Sequence, residues 1–168
     1  KQSDLKIILE EVHDYHNISA ILRSSDAVGI LDVDIIYKDN RELKIGKKSS
    51  ASAAKWVDVN QYDDIADSYK KHKIFSRQII TTSLSNNSKS IYDIDFTKPT
   101  AIVFGNEKTG LSEEAVNLAD ENIIIPQLGM IQSLNVSVAV AIVLYEAYRQ
   151  RNITGMYNQK NLPKEEYE

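Results

Sequence analysis

Residues 103–112, VFGNEKTGLS, close an apolar run at one glycine and lead back into ordered chain through a second glycine and a serine. Gly105 and Gly110 stand at the spacing of a phosphate-cradling P-loop. That loop needs a lysine directly after its second glycine to reach the β and γ phosphates, and Leu111 holds the place, followed by Ser112. A nucleoside-triphosphate enzyme is thereby set aside. What remains is a strand ending in two glycines around an acid. In parallel α/β sheets ligands sit beyond the carboxyl ends of strands, where glycine lets backbone approach closely and the next helix offers free N–H groups. Glu107 then stands at the mouth of a site. The plainer alternative makes both glycines ordinary turn residues and Glu107 a solvated loop acid.

The same kind of apolar, β-branched run recurs along the chain. LKIILEEV (5–12), VDIIYK (33–38), RQIITTS (77–83), TAIVFG (100–105) and NIIIP (122–126) read as strands. Between them NISAILRSSDAVG (17–29), YDDIADSYKKHK (62–73) and SEEAVNLADE (112–121) carry helical spacing, with Ser112 placed as a cap. Strands alternating with helices imply right-handed crossovers. The fold class expected is therefore α/β, a single domain with a mostly parallel sheet and helices on both faces. A long final helix is expected from Ser133 to Arg151, buried nearly all round, with Ser133 as its cap and Asn135 in its first turn. The domain is drawn over 1–151, and the polar stretch NITGMYNQKNLPKEEYE (152–168) is read as a C-terminal extension.

Composition narrows the classes. A chain of 168 residues is most simply one domain, large enough to bury about two thirds of its unfolded surface. With no cysteine and three scattered histidines, no disulfide framework, thiol nucleophile or metal site is expected. The longest apolar stretch, Val136 to Leu144, is too short to cross a bilayer, and KQSDLKIILEE is no signal sequence, so a soluble cytoplasmic protein is expected. The net charge of −4 weighs weakly against a nucleic-acid partner. Local clusters matter more: Lys47 with Lys48, Lys70, Lys71, Lys73 and Arg77 together, and Arg149 with Arg151. Each is a solvated face unless they converge on one surface.

Two further stretches carry polar residues where chemistry would need them. In NISAILRSSDAVG, Asn17 and Arg23 can approach one side if the helix starts near Ser19; otherwise Asn17 is an N-cap and Arg23 a surface cation. In IIIPQLGMIQSLNVSVAVAIVLYEAYRQR, residues 123–151, a strand ends at Pro126, a loop with Gly129 follows, and Ser133 and Asn135 open the last helix.

In this order and at this spacing, NISAILRSSDAVG, VFGNEKTGLSEEA and IPQLGMIQSLNVSVAVAIVLYEA resemble the three motifs of the SPOUT superfamily of S-adenosylmethionine-dependent methyltransferases, most closely the TrmH-type 2′-O-ribose RNA methyltransferases. The likeness continues through KKSSASAAKWV, TTSLS and RQRNITGMY, segments that look like the branch acting on a guanosine ribose in the tRNA D-loop. The resemblance implies a C-terminal deep trefoil knot, which strand patterning alone would never suggest. It implies S-adenosylmethionine as cofactor, with S-adenosylhomocysteine as product, bound by Thr82, Gly105, Ile125, Ser133 and Leu134. Gly105 is needed on this view because a Cβ would meet the cofactor, while Gln127 stands where many relatives have methionine.

The resemblance also assigns the catalytic set Arg23, Asn17, Glu107, Ser133 and Asn135. Arg23 is cast in the family as a base, but a guanidinium stays protonated in proteins. We therefore expect it to orient the ribose hydroxyl and the adjacent phosphate. RNA would be held by Arg23, Arg41, Lys47, Lys48, Arg149 and Arg151. The partners implied are tRNA and a second copy of the chain, with neither membrane nor metal. Methylation of ribosomal RNA or of another tRNA position stands as the alternative, and a catalytically idle RNA-binding module as a more distant one.

Overall fold

The apolar runs become neighbours in one seven-stranded sheet. The computed structural model describes residues 1–39, 41–43 and 55–158. In chain order these form β1 (Leu5–Glu10), α1 (Tyr15–Ala27), β2 (Asp32–Ile36), β3 (Asp58–Tyr62), α2 (Ile65–Ile74), β4 (Gln78–Thr82), β5 (Lys89–Ser90), β6 (Thr100–Phe104), α3 (Glu113–Asn117), β7 (Glu121–Ile124) and α4 (Val136–Ile153). The strand order is β3-β2-β1-β6-β4-β7-β5, and every pairing is parallel. Ile7 is in register with Val33 on one side and Ile102 on the other. β1, β2 and β6 are buried along their whole length, as strands covered on both faces are, and in β1 and β2 that burial takes in Lys6, Glu10, Asp32 and Asp34.

Alternation still sorts their side chains between two cores. Ile7, Leu9, Val33, Ile35, Ile80 and Ile102 face α1, through Ile18, Ile21 and Leu22, and α4, through Val140, Val143, Leu144 and Ala147. Ile8, Ile36, Ile79, Ala101 and Val103 face Ile65 and Tyr69 of α2 and Ala115 of α3. Full burial of each valine, leucine or isoleucine among them stabilises the fold by about 1.5–3 kcal/mol.

Boundaries differ from expectation where a polar side chain decides them. α1 starts at Tyr15, because Asp14 accepts from the N–H of His16 (2.8 Å); Asn17 is therefore inside the helix and is not its cap. α2 starts at Ile65 behind the Asp64 cap, and Tyr62 ends β3, a half-exposed edge strand. Asn135, not Ser133, caps α4, accepting from the N–H of Ser137 (2.9 Å). α4 also runs to Ile153, two residues beyond the boundary expected at 151. Nor is it buried all round: Val138 is 47% and Tyr145 52% exposed, an apolar stripe that the other described residues leave uncovered. After the helix, Tyr157 donates to the carbonyl of Val28 (2.7 Å), so residues up to 158 pack on the domain. Residues 159–168 of the expected extension lie outside the described residues.

Beneath α2 a chain of buried polar groups joins the strands. Lys6 pairs with Asp32, and Asn60 bridges Asp32 (2.9 Å) and Asp34 (3.1 Å). Burial alone would push the Asp34 carboxyl up, but hydrogen bonds from His72, Asn60 and Ser68 hold it below the ordinary carboxylate range. Arg77 donates to Nδ1 of His72 (3.2 Å), which assigns the proton to Nε2, facing Asp34 (2.8 Å). Arg77 is thus interior and does not join Lys70 and Lys73 on the surface.

Candidate active site at the carboxyl ends of the late strands

β4, β6 and β7 end together, and with the segment leading into α4 they enclose a cavity of about 380 Å³. Small-molecule sites span roughly 300–1,000 Å³, and the carboxyl edge of a parallel sheet is where ligands bind. The walls combine apolar side chains, among them Ile123, Leu134, Val136 and Ala139, with backbone at the strand ends. Glu107 is the one charged side chain among the described residues that line it.

The loop after β6 is a closed turn. Asn106 accepts from the N–H of Lys108 (2.8 Å) and Thr109 (3.2 Å), and its carbonyl accepts from Gly110 N–H (2.8 Å). Gly110 adopts a φ of +68°, which few side chains tolerate. Gly105 is required by the loop itself: a Cβ there would lie 2.5 Å from the Gly110 carbonyl carbon and 2.6 Å from Leu111 N, so the loop's own backbone excludes it. Two anchors hold the turn. Asn106 donates to the carbonyl of Glu11 (2.7 Å), and the buried Glu10 carboxylate accepts from both the N–H (2.8 Å) and the hydroxyl (2.6 Å) of Ser112. Ser112 also caps α3, accepting from Ala115 N–H (3.2 Å). Sequence reasoning missed Glu10 and Asn106. An acid closing the IIL run of a strand, and an asparagine directly after a strand-ending glycine, were the available signals.

Three of the expected catalytic residues form one relay. Asn135 Nδ2 donates to Asn17 Oδ1 (3.1 Å), and Asn17 Nδ2 donates to Glu107 Oε1 (2.7 Å). The Asn135 oxygen is meanwhile engaged as the α4 cap, so α4, α1 and the β6 loop are tied at the cavity mouth. Thr82, Gly105, Ile125, Ser133 and Leu134 all line the cavity, as does Gln127.

The basic residues are dispersed. Arg23 is exposed on α1 and does not line the cavity; six residues after Asn17, it points about 120° away around the helix. Arg41 is exposed and paired with Asp39 (2.5 Å), and Arg149 is held by both oxygens of Glu146 (2.9 Å each). Arg151 is wholly buried, donating to the carbonyls of Phe96 (2.8 Å) and Lys98 (3.0 Å), to Gln2 (3.0 Å) and to Asp4 (2.6 Å). A guanidinium so enclosed has no face to offer a phosphate, which corrects its assignment as an RNA contact. Lys47 and Lys48 lie outside the described residues. Among the described residues no helix is long and apolar enough to cross a membrane, and no group of His, Asp and Glu could hold a metal ion.

The geometry agrees with what the chain is similar to. The model of the SpoU rRNA methylase family matches residues 4–145. A tRNA (guanosine(18)-2'-O)-methyltransferase of Escherichia coli K12 is 45% identical over 161 residues, covering 96% of this chain and 70% of that protein. Among solved structures, the TrmH/SpoU tRNA modifying enzyme of A. aeolicus superposes with a TM-score of 0.92 at 42% identity, over 99% of this chain and 84% of that one. The SpoU methyltransferase AviRb of Streptomyces viridochromogenes, in complex with AdoMet, superposes with a TM-score of 0.81 at 25% identity, over 91% of this chain and 63% of that one. By its sequence, its sheet and its family match, the chain belongs to the SpoU rRNA methylase family, as a TrmH-type SPOUT methyltransferase.

Proposed function

We propose that the protein methylates the ribose 2′ oxygen of a guanosine in the tRNA D-loop, position 18, with S-adenosylmethionine as donor. The relatives at 42–45% identity over nearly the whole chain carry that activity in their names. The observation that carries the chemistry is the Asn135–Asn17–Glu107 relay at the mouth of the cavity.

The cavity suits the donor. Its lining is mostly apolar, with neutral polar residues such as Thr82, Ser83 and Ser133 among it, and the single formal charge among the described lining residues is an acid, the right sign to face a sulfonium. Thr82, Gly105, Ile125, Ser133 and Leu134 would hold the cofactor, which when bound supplies an electrophilic methyl for in-line attack by the ribose oxygen. Asn17 fixes the Glu107 carboxylate through Oε1, leaving Oε2 with no partner among the described residues. Arg23 orients that hydroxyl and the neighbouring phosphate, and the proton passes to a phosphate oxygen or water. In this reading the C-terminal segment threads a loop to form the family's trefoil knot, residues 1–151 hold the methyltransferase machinery, and the enzyme works in the cytoplasm.

Arg23 is exposed and does not line the cavity of its own chain. We read the protein as a homodimer in which the Val138–Tyr145 stripe of α4 is covered by the partner and Arg23 of one protomer serves the cavity of the other. Two inactive variants, Arg23→Ala and Gly105→Ala, should then regenerate roughly a quarter of wild-type activity when mixed and re-equilibrated, since half the dimers hold one complete site. No recovery, or a monomer by sedimentation at micromolar concentration, would contradict the shared site.

The reaction itself is tested by tritium transfer from labelled S-adenosylmethionine to total tRNA and to ribosomal RNA, followed by mapping of the alkali-resistant linkage. Label at guanosine 18 of tRNA is the expected result, and label in ribosomal RNA alone would remove the reading. In the same assay Arg23→Lys should lose turnover by about a hundredfold with unchanged affinity for S-adenosylhomocysteine. Near-normal turnover would show that a point charge suffices.

A further inference from the structure

We propose that Asn122 is a positioning residue for the donor cavity, holding the Ser83 peptide in the orientation that completes its wall; the proposal rests on the reading that this cavity binds S-adenosylmethionine. β4 and β7 stay in register only as far as Thr82 opposite Ile123, where β4 ends, while the other edge of β7 pairs with β5. The Ser83 peptide therefore leaves the ladder at the point where Ser83 and Leu84 begin to line the cavity. Leu84 is 71% exposed, so packing does not anchor this wall.

The Asn122 carboxamide supplies what the ladder no longer does. Its Oδ1 accepts from Ser83 N–H (3.0 Å) and from the Thr81 hydroxyl (2.9 Å), and its Nδ2 donates to the Ser83 carbonyl (2.6 Å). Both backbone groups of Ser83, one from each of its two peptide units, are thus gripped by one side chain, as a neighbouring strand would grip them. Nδ2 also donates to Ser88 Oγ (2.5 Å), whose hydroxyl donates to the same Ser83 carbonyl (3.1 Å), closing the loop on itself. Only an amide offers an acceptor and two donors from one planar group. An aspartate keeps the size and the acceptor but sets a carboxylate oxygen against the Ser83 carbonyl, so the wall is released.

The test compares wild type, Asn122→Asp and Ser88→Ala by calorimetry with S-adenosylhomocysteine and by steady-state methyl transfer. Asn122→Asp should raise the Kd for the product and the KM for the donor about tenfold each. Its kcat at saturating donor and its KM for tRNA should stay within about twofold. Ser88→Ala, which removes one partner of the amide and no core contact, should shift the same two constants by about two- to threefold. A purely structural role would lower kcat, melting temperature and all affinities together, and that pattern, or unchanged donor affinity in both variants, would overturn the proposal. Should Asn122→Asp fail to fold, Ser88→Ala decides by the same criterion. If wild type itself bound no S-adenosylhomocysteine, the assignment of the cavity would fall, which is a separate result from equal binding by wild type and variants.

Discussion

Gly105→Ala is expected to weaken S-adenosylhomocysteine binding by about 10- to 100-fold and to lower methyl transfer at least as far. The added Cβ would stand 2.5–2.7 Å from the carbonyl group of Gly110 and the nitrogen of Leu111, which are backbone atoms and cannot rotate away as a side-chain tip can. Retreat of the loop is blocked at both ends. On one side Asn106 is fastened to the Glu11 carbonyl, and on the other Ser112 satisfies the buried Glu10 carboxylate, which would lose both partners if the loop moved. Overpacking of this kind costs about 1–3 kcal/mol, and about 1.4 kcal/mol is a factor of ten in affinity. Gly110 and Leu111 are themselves cavity wall, so the strain falls on the ligand site. Calorimetry on the folded variant reads the effect directly; wild-type affinity would mean that the loop yields freely and that the two anchors count for little.

Arg151→Met should destabilise the protein by about 3 kcal/mol or more, the cost of removing one partner from a buried charged network. At this chain length that is a fall in melting temperature of about 6–12 °C. Arg151 and its neighbour Gln150 join the end of α4 to residues 94–98 much as a strand would. Gln150 accepts from Phe96 N–H (2.8 Å) and donates to the Ile94 carbonyl (2.9 Å), while Arg151 takes the Phe96 and Lys98 carbonyls. The half-exposed Asp4 can return to water, which keeps the loss near the lower limit. The site lies at the amino edge of the sheet, across the domain from the cavity. The folded fraction should therefore bind S-adenosylhomocysteine as wild type does. A variant that melts normally but has lost affinity for tRNA would restore Arg151 to the RNA surface.

These two residues show where the sequence was informative and where it stopped. The five runs that became β1, β2, β4, β6 and β7 were legible because each carries a block of buried β-branched or aliphatic residues, wholly buried in β1, β2 and β6 and partly so in β4 and β7. β3, DVNQY, was lost among polar residues because it is a half-exposed edge, and β5 has only two residues to show. For α4 the sequence offered two capping residues two positions apart, and only tertiary structure chooses Asn135, since Ser133 is still part of the segment lining the cavity. Arg149 and Arg151 looked like one basic cluster. Two residues apart on a helix they point about 200° apart, so one faces water and the other the core. The same geometry separates Arg23 from Asn17, a separation that the helical period foretold once α1 was known to begin at Tyr15. The relay through Asn135, Asn17 and Glu107 brings together residues from three distant stretches, and no local pattern announces it.

The most direct test of the central claim, that backbone at the ends of β4, β6 and β7 grips a sulfonium donor against the relay, is isothermal titration of the folded protein with S-adenosylhomocysteine. The account predicts saturable binding of one equivalent per chain, weakened in Gly105→Ala and retained in Arg23→Lys. A folded wild-type sample that gives no binding heat at any temperature tried, and no protection from thermal unfolding by the ligand, would contradict it.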